Sequence, residues 1–344
     1  IDAGSGDVRL SSIDLSIDAN IDGFNISLIA AGDLDIASGR EVVAGGDGST
    51  LAVQAASLDL GGSGLGAGAI QNTGTGAISL TATTGDFVLD DGAVNNGAGG
   101  VTINATAGAI LRAVGSTQAN IVTSGALTMD ASTGIGASAA TSILTDVGTL
   151  ERLTTDSGDI YVQDIGAVFV GNGSGIAVDV QTGGNIGLSA IGDLTVVQDS
   201  QIIGGNGTSS VTIEAAGVVL EGGSLGNENV QNRGNGTIDL TTTSGTLSIG
   251  EHAVGGEFGA IQLDADSRTL DVRGATTTAE INTSGSLFLT ASTIGTALNQ
   301  FEVSGVTQLT VNDRGAGDIE IVEVGSQAID AADLVEGDAS FGTL

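Results

Sequence analysis

One line of this sequence is written twice. "QNTGTGAISLTATTGDFVLDDGAV" at 71–94 returns as "QNRGNGTIDLTTTSGTLSIGEHAV" at 231–254, 160 positions on and without a gap. The same displacement relates "NISLIAAGDLDI" from Asn25 to "NIGLSAIGDLTV" from Asn185, and "IVTSGALTMDAS" from Ile121 to "INTSGSLFLTAS" from Ile281. After a one-residue deletion near Gly134 the spacing becomes 159, as in "GDIYV" at Gly158 and "GDIEI" at Gly317, and "GDVRL" at Gly6 is a third trace of the same line. Repetition at this length confines the chain to architectures in which copies of one unit stack on their neighbours. The expected organisation is 1–24 as the end of a preceding repeat, then repeat units 25–184 and 185–344 in one continuous rod.

Within a copy, short runs alternate apolar and polar residues. In "AISLTA" (77–82) a period of two puts Ile78, Leu80 and Ala82 on one face and Ser79 and Thr81 on the other, the pattern of a half-buried strand. The main runs begin near Ile26, Leu51, Ile78, Val101, Ala126 and Leu150. These separations of 23–27 residues match one coil of a parallel β-helix, whose coils each contribute short strands that pair with the coils on either side. The expected fold is therefore all-β: a parallel β-helix with coils of about 23–27 residues, built from tandem repeats of ~160 residues. "LERL" at 150–153 could form one helical turn but falls where a strand is due. "GD" pairs at Gly6, Gly32, Gly85, Gly158, Gly192 and Gly317 read as corners, with Gly supplying positive φ and Asp bonding nearby amides.

Composition agrees with a slender stack. The chain has 58 Gly, no Pro, no Cys, no Trp and 2% aromatic residues, so its core must be narrow and filled by Ile, Leu, Val and Ala. Lack of proline suits strands that pair on both sides, since each needs its amide hydrogen. Without cysteine there is no disulfide scaffold, thiolate zinc site or thiol nucleophile. Eight basic residues, all Arg, against 41 acidic ones give a formal charge of −33, which argues against nucleic acid and anionic lipid as partners. It also points to a saline or calcium-containing exterior that would screen the self-repulsion. No apolar run approaches a membrane span.

The runs "GAISLTATTGDF", "GGVTINATAGAIL" and "TSGALTMDAS" resemble the filamentous-haemagglutinin type of bacterial surface protein, over nearly the whole chain. The resemblance implies a giant secreted adhesin whose stalk is a right-handed parallel β-helix, exported by a two-partner or autotransporter route.

Candidate chemistry is sparse. Glycosidases need two carboxylates about 5–10 Å apart; Asp90 and Asp91, read as strand neighbours pointing to opposite faces, fit this poorly, and their counterparts are Gly250 and Glu251. The single histidine, His252, has Gly92 as its counterpart, lacks triad or zinc spacing and reads as a surface residue. "GGDGST" (45–50) and "GGNGTSS" (204–210) share features with calcium-binding turns but do not extend into a tandem array. No catalytic, cofactor-binding or metal-binding residue is expected; acidic surface loops leave only Ca²⁺ as a weak candidate ligand.

Residues kept in both copies read as scaffold: Gln71 and Asn72 with Gln231 and Asn232, Gly74, Gly76 and Gly85 with Gly234, Gly236 and Gly245, and Ile78 and Leu80 with Ile238 and Leu240. The reading that follows is a non-enzymatic, extracellular structural rod forming the stalk, fibre or filament of a bacterial surface protein. Its expected partners are further copies of itself, by self-association or by continuation of the repeats beyond both termini. An adhesin shaft that binds glycans or cell-surface proteins is the alternative, and a carbohydrate-active β-helix enzyme stands third.

Overall fold

The computed structural model describes residues 1–61, 69–224, 226–256, 259–273, 278–296, 299–315, 317–324 and 334–336. The chain divides into two units, Ile1–Gly166 and Ala167–Leu344. Each is a parallel β-solenoid, and together they contain about twelve turns of roughly 24 residues. The one helical element among the described residues is a 3₁₀ turn at Ala139–Thr141.

In the first unit each coil contributes strands to three stacked columns. The longest column holds Val8–Ser12, Ile26–Ala30, Leu51–Ala55, Ile78–Ala82 and Val101–Ala105. The second holds Leu15–Ile17, Asp33–Ile36, Ser57–Leu60, Phe87–Leu89 and Ile110–Arg112. Ile21–Gly23, Val42–Ala44, Ile70–Asn72 and Val94–Asn96 form the third. Register in the first column aligns Ile26, Leu51, Ile78, Val101, Leu127 and Leu150, so the apolar run starts seen in the sequence are the stacked residues themselves. The exception is Ala126, which stands one residue before the aligned Leu127; bulges flank this place, between Thr123 and Ala126 and between Leu127 and Thr128. Here two columns merge in the long strands Ile121–Ala131 and Ile143–Ser157. "LERL" lies inside the second of these as strand, because its Leu150 and Leu153 continue the buried column.

The second unit repeats the plan. Ile186–Ala190, Val211–Ala215, Ile238–Thr242, Ile261–Asp264 and Ser286–Ala291 stack with Ile186, Val211, Ile238, Ile261 and Leu287 aligned. Val230–Asn232, Val254–Gly256 and Ile281–Thr283 are consecutive members of another column.

Alternation decides which side of each strand is buried. Ile78, Leu80, Ile238 and Leu240 are 0–1% exposed, while Ser79 between the first two is exposed. Burying each such side chain contributes about 1.5–3 kcal/mol. Aromatic residues are nearly absent from the core; among the largest fully buried side chains only Phe87 and Phe301 are aromatic.

Candidate functional site

Hydrogen bonds at the corners are reproduced from copy to copy. Asn72 Nδ2 donates to the Ser49 carbonyl at 2.8 Å and Asn232 Nδ2 to the Ser209 carbonyl at 2.7 Å. The Oδ1 atoms of the same two residues accept from Gly74 N at 2.9 Å and Gly234 N at 3.1 Å. Asn25 Oδ1 accepts from Thr50 N, and Asn185 Oδ1 from Ser210 N, both at 2.9 Å. Thr83 Oγ1 donates to the Ala55 carbonyl at 3.0 Å and Thr243 Oγ1 to that of Ala215 at 3.2 Å. All but the two local bonds to Gly74 and Gly234 join one coil to the next, satisfying polar groups that burial would otherwise leave unpaired. Gln71 and Gln231 differ from their asparagine neighbours in pointing to the half-exposed side of the strand.

The glycines of the "GD" corners work differently from the sequence expectation. Of the six, only Gly158 has positive φ, at 84°. Gly85 and Gly317 lie where coils come close: a Cβ on Gly85 would stand 2.9 Å from Ser57 Cβ and one on Gly317 would overlap the Ser292 carbonyl oxygen, as one on Gly245, the counterpart of Gly85, would stand 2.9 Å from the Ala216 carbonyl oxygen. A Cβ on Gly76 or Gly236 would overlap the carbonyl oxygen of Ser49 or Ser209. Aspartates of these pairs reach across to the next coil, as where Asp86 Oδ1 accepts from Ala109 N at 2.9 Å.

Asp90 and Asp91 lie in a turn after the strand Phe87–Leu89, not on a strand. Asp91 Oδ1 accepts from Thr117 N and Gln118 N, both at 2.7 Å, and from Ser116 Oγ. Burial would raise this carboxyl, but those three bonds and nearby Arg112 hold it below its ordinary value. The group is thus a corner staple. His252 sits in the left-handed region at φ 47°, as its counterpart Gly92 does at 61°. Its amide donates to the Ala279 carbonyl at 3.1 Å, as that of Gly92 does to Ala119 at 2.8 Å. It is half-buried, with Nδ1 enclosed and unpartnered, and so is less a surface residue than the sequence suggests. The loops 45–50 and 204–210 carry positive-φ glycines at Gly48 and Gly207, and Ser49 Oγ ties the first to Asn72 Oδ1 at 2.9 Å.

Buried polar residues just ahead of apolar strand starts went unrecognised in the sequence. Asn120, Asn229 and Glu280 precede Ile121, Val230 and Ile281 and are 0% exposed. Their side-chain oxygens accept amides of Leu144 at 2.9 Å, Gly222 at 2.6 Å and Glu302 at 2.5 Å respectively. The readable signal is a single polar letter directly before the strand. Buried Asp164 accepts from Thr145 Oγ1 at 2.8 Å, Val147 N at 3.1 Å and Gly166 N at 2.8 Å. Desolvation raises its carboxyl above the ordinary value despite these bonds, and Asp146 nearby adds to the rise.

Among the described residues no group of three or more His, Cys, Asp or Glu could hold a metal ion, and no helix is long and apolar enough to cross a membrane. The second unit carries a groove of about 560 Å³ over the strands Val230–Asn232, Val254–Gly256 and Ile281–Thr283. Register sets Gln231, Gly255 and Asn282 in one row and Asn232, Gly256 and Thr283 in the next. Glu228, Arg233 and Ser284 complete the rim. Arg233 Nη1 is held by Asp179 Oδ1 at 2.7 Å and the Val180 carbonyl at 3.3 Å. Among the described residues no apolar side chain lines the groove. Comparisons with protein families, curated proteins and solved structures give no match for this chain.

Proposed function

We propose that the protein is a non-enzymatic, extracellular structural shaft, a stalk or filament element of a bacterial surface assembly. The observation that carries this reading is the division of labour between the two copies. The corner bonds of Asn25, Asn72 and Thr83 recur at Asn185, Asn232 and Thr243, whereas outward positions change, as from Ser79 to Asp239. Copying a segment with its stacking bonds intact lengthens a solenoid at about 4.8 Å per coil without redesigning its core. The resemblance to filamentous-haemagglutinin proteins and the excess of acidic residues support an exterior location. Electron microscopy of native material, with immunogold labelling of intact cells, tests the proposal. Thin shafts displayed outside the cell are expected; compact particles, or label confined to the interior, would overturn it.

A further inference from the structure

We propose that the groove of the second unit binds a neutral, hydroxyl-rich ligand, an uncharged oligosaccharide segment. Five of its ten described lining residues depart from the first copy, while Gln231, Asn232, Thr283 and Ser284 are kept. Glu228 replaces Gly68, Arg233 replaces Thr73, Gly255 and Gly256 replace Asn95 and Asn96, and Asn282 replaces Val122. The apolar inward residues of the same strands hardly change, Val230, Val254 and Ile281 standing where Ile70, Val94 and Ile121 do, whereas the buried polar position of Asn96 becomes Gly256. The apolar stack has been kept and the polar positions beside it rebuilt.

The rebuilding makes room. In the first unit Asn96 is fully buried, and its Nδ2 donates to the carbonyls of Gly76 at 3.2 Å and Gly100 at 3.0 Å. Gly256 has no side chain to fill that space, and a Cβ built on it would meet nothing closer than 3.8 Å. The Gly236 carbonyl, counterpart of the one at Gly76, thereby lacks the amide donor that Asn96 supplies in the first copy. The rebuilding also adds groups able to recognise a ligand. Among the described residues Asn282 makes no side-chain hydrogen bond, and Arg233 engages only Nη1, leaving Nε and Nη2. Gln231 uses Nε2 on the Glu228 carbonyl at 3.4 Å, which leaves its Oε1 as an acceptor.

Chemistry narrows the occupant. Asp179 already pairs with Arg233, and Glu228 adds a second negative charge, so an anion gains nothing here in a chain of net charge −33. An added β-strand is excluded because Val254–Gly256 is paired on both sides, by Val230–Asn232 and Ile281–Thr283. Among the described residues the lining offers no apolar side chain. What remains are side-chain amides, a guanidinium, a carboxylate and hydroxyls, which donate to and accept from hydroxyl groups. The inference stands apart from the shaft proposal, because a stalk can carry or lack such a site.

The test is titration of the whole chain, followed by NMR, with neutral trisaccharides built from glucose, galactose, mannose or N-acetylglucosamine, and with trigalacturonate as the anionic comparator. At least one neutral trisaccharide should bind saturably, shifting Gly255, Gly256 and Asn282 resonances. The variant Gly256→Asn, which restores the first copy's residue at the one open position, should bind at least tenfold more weakly with an unchanged melting temperature. Should that variant fail to fold, Asn282→Val, also the first copy's residue, should weaken binding at least threefold. Binding of no neutral trisaccharide, preference for trigalacturonate, or undiminished affinity in the folded variant would each overturn the proposal. Micrographs of the same variant keep the two ideas apart, since shafts should persist when binding is lost.

Discussion

At the scale of single residues, the fold depends on which polar group or empty space each corner requires. Asn72 satisfies the Ser49 carbonyl and the Gly74 amide from within the stack. Asn72→Ala should therefore cost about 1–3 kcal/mol, and Asn232→Ala a similar amount, read from urea unfolding midpoints. A value near zero for either would show that water replaces the side chain. At Gly76 the limit is space: its Cβ would fall on the Ser49 carbonyl oxygen, so Gly76→Ala should be among the most damaging substitutions, beyond about 4 kcal/mol. His252 presents the opposite case. At φ 47° it occupies a conformation that its counterpart Gly92 adopts freely, and His252→Gly should raise stability by up to about 1 kcal/mol, the left-handed cost less the entropy glycine adds to the unfolded chain.

At the scale of elements, a strand contributes through one face only. Leu80 and Leu240 are 0% exposed and aligned with apolar residues above and below, Val53 and Ile103 for the first, Ile213 and Leu263 for the second. Leu80→Ala and Leu240→Ala should each cost about 2–5 kcal/mol through the cavity they leave. Exposed Ser79, one residue from Leu80, should accept the second copy's Asp within about 0.5 kcal/mol. Thermal melts of the pair L80A and S79D check this, and equal losses would contradict the one-sided burial. The strand Ile143–Ser157 shows the same rule overriding local preference, since Leu150 and Leu153 are buried in the sheet although "LERL" could form a helical turn.

At the scale of the whole molecule, charge governs stability. With a net charge of −33, added salt should raise the melting temperature up to about 0.5 M, where screening is nearly complete. A flat or falling midpoint would count against this. Acid should act in the same direction at first. Burial raises the carboxyls of Asp59, Asp164, Asp239 and Glu302. A raised carboxyl contributes stability that is fully present below its unfolded-state value and lost as pH rises through its folded-state value. Stability should thus increase as pH falls from neutrality towards the ordinary values of 3.8 and 4.5. Asp91, held below 3.8, works in the other sense: its contribution is present above that value and is lost as pH falls through the lowered one. Asp164→Asn should flatten the rise, measured as unfolding free energy against pH; an unaltered slope would remove Asp164 from the account.

The sequence by itself determined the coil length, the parallel stacking and the inward residues. Each is written in letters two apart or about 25 apart, and both spacings survive without knowledge of how the chain bends. Ile26, Leu51, Ile78 and Val101 could be aligned by counting, and they are aligned. Only the tertiary structure decided what the corners do. Whether a glycine serves for positive φ together with close approach, as at Gly158, or for close approach alone, as at Gly85, depends on a coil more than twenty residues away. The groove is of the same kind. The exchange of Asn95 and Asn96 for Gly255 and Gly256 was visible as a difference between copies, but its meaning required the strands on either side, because empty space belongs to the neighbours that border it and not to the residue that is missing.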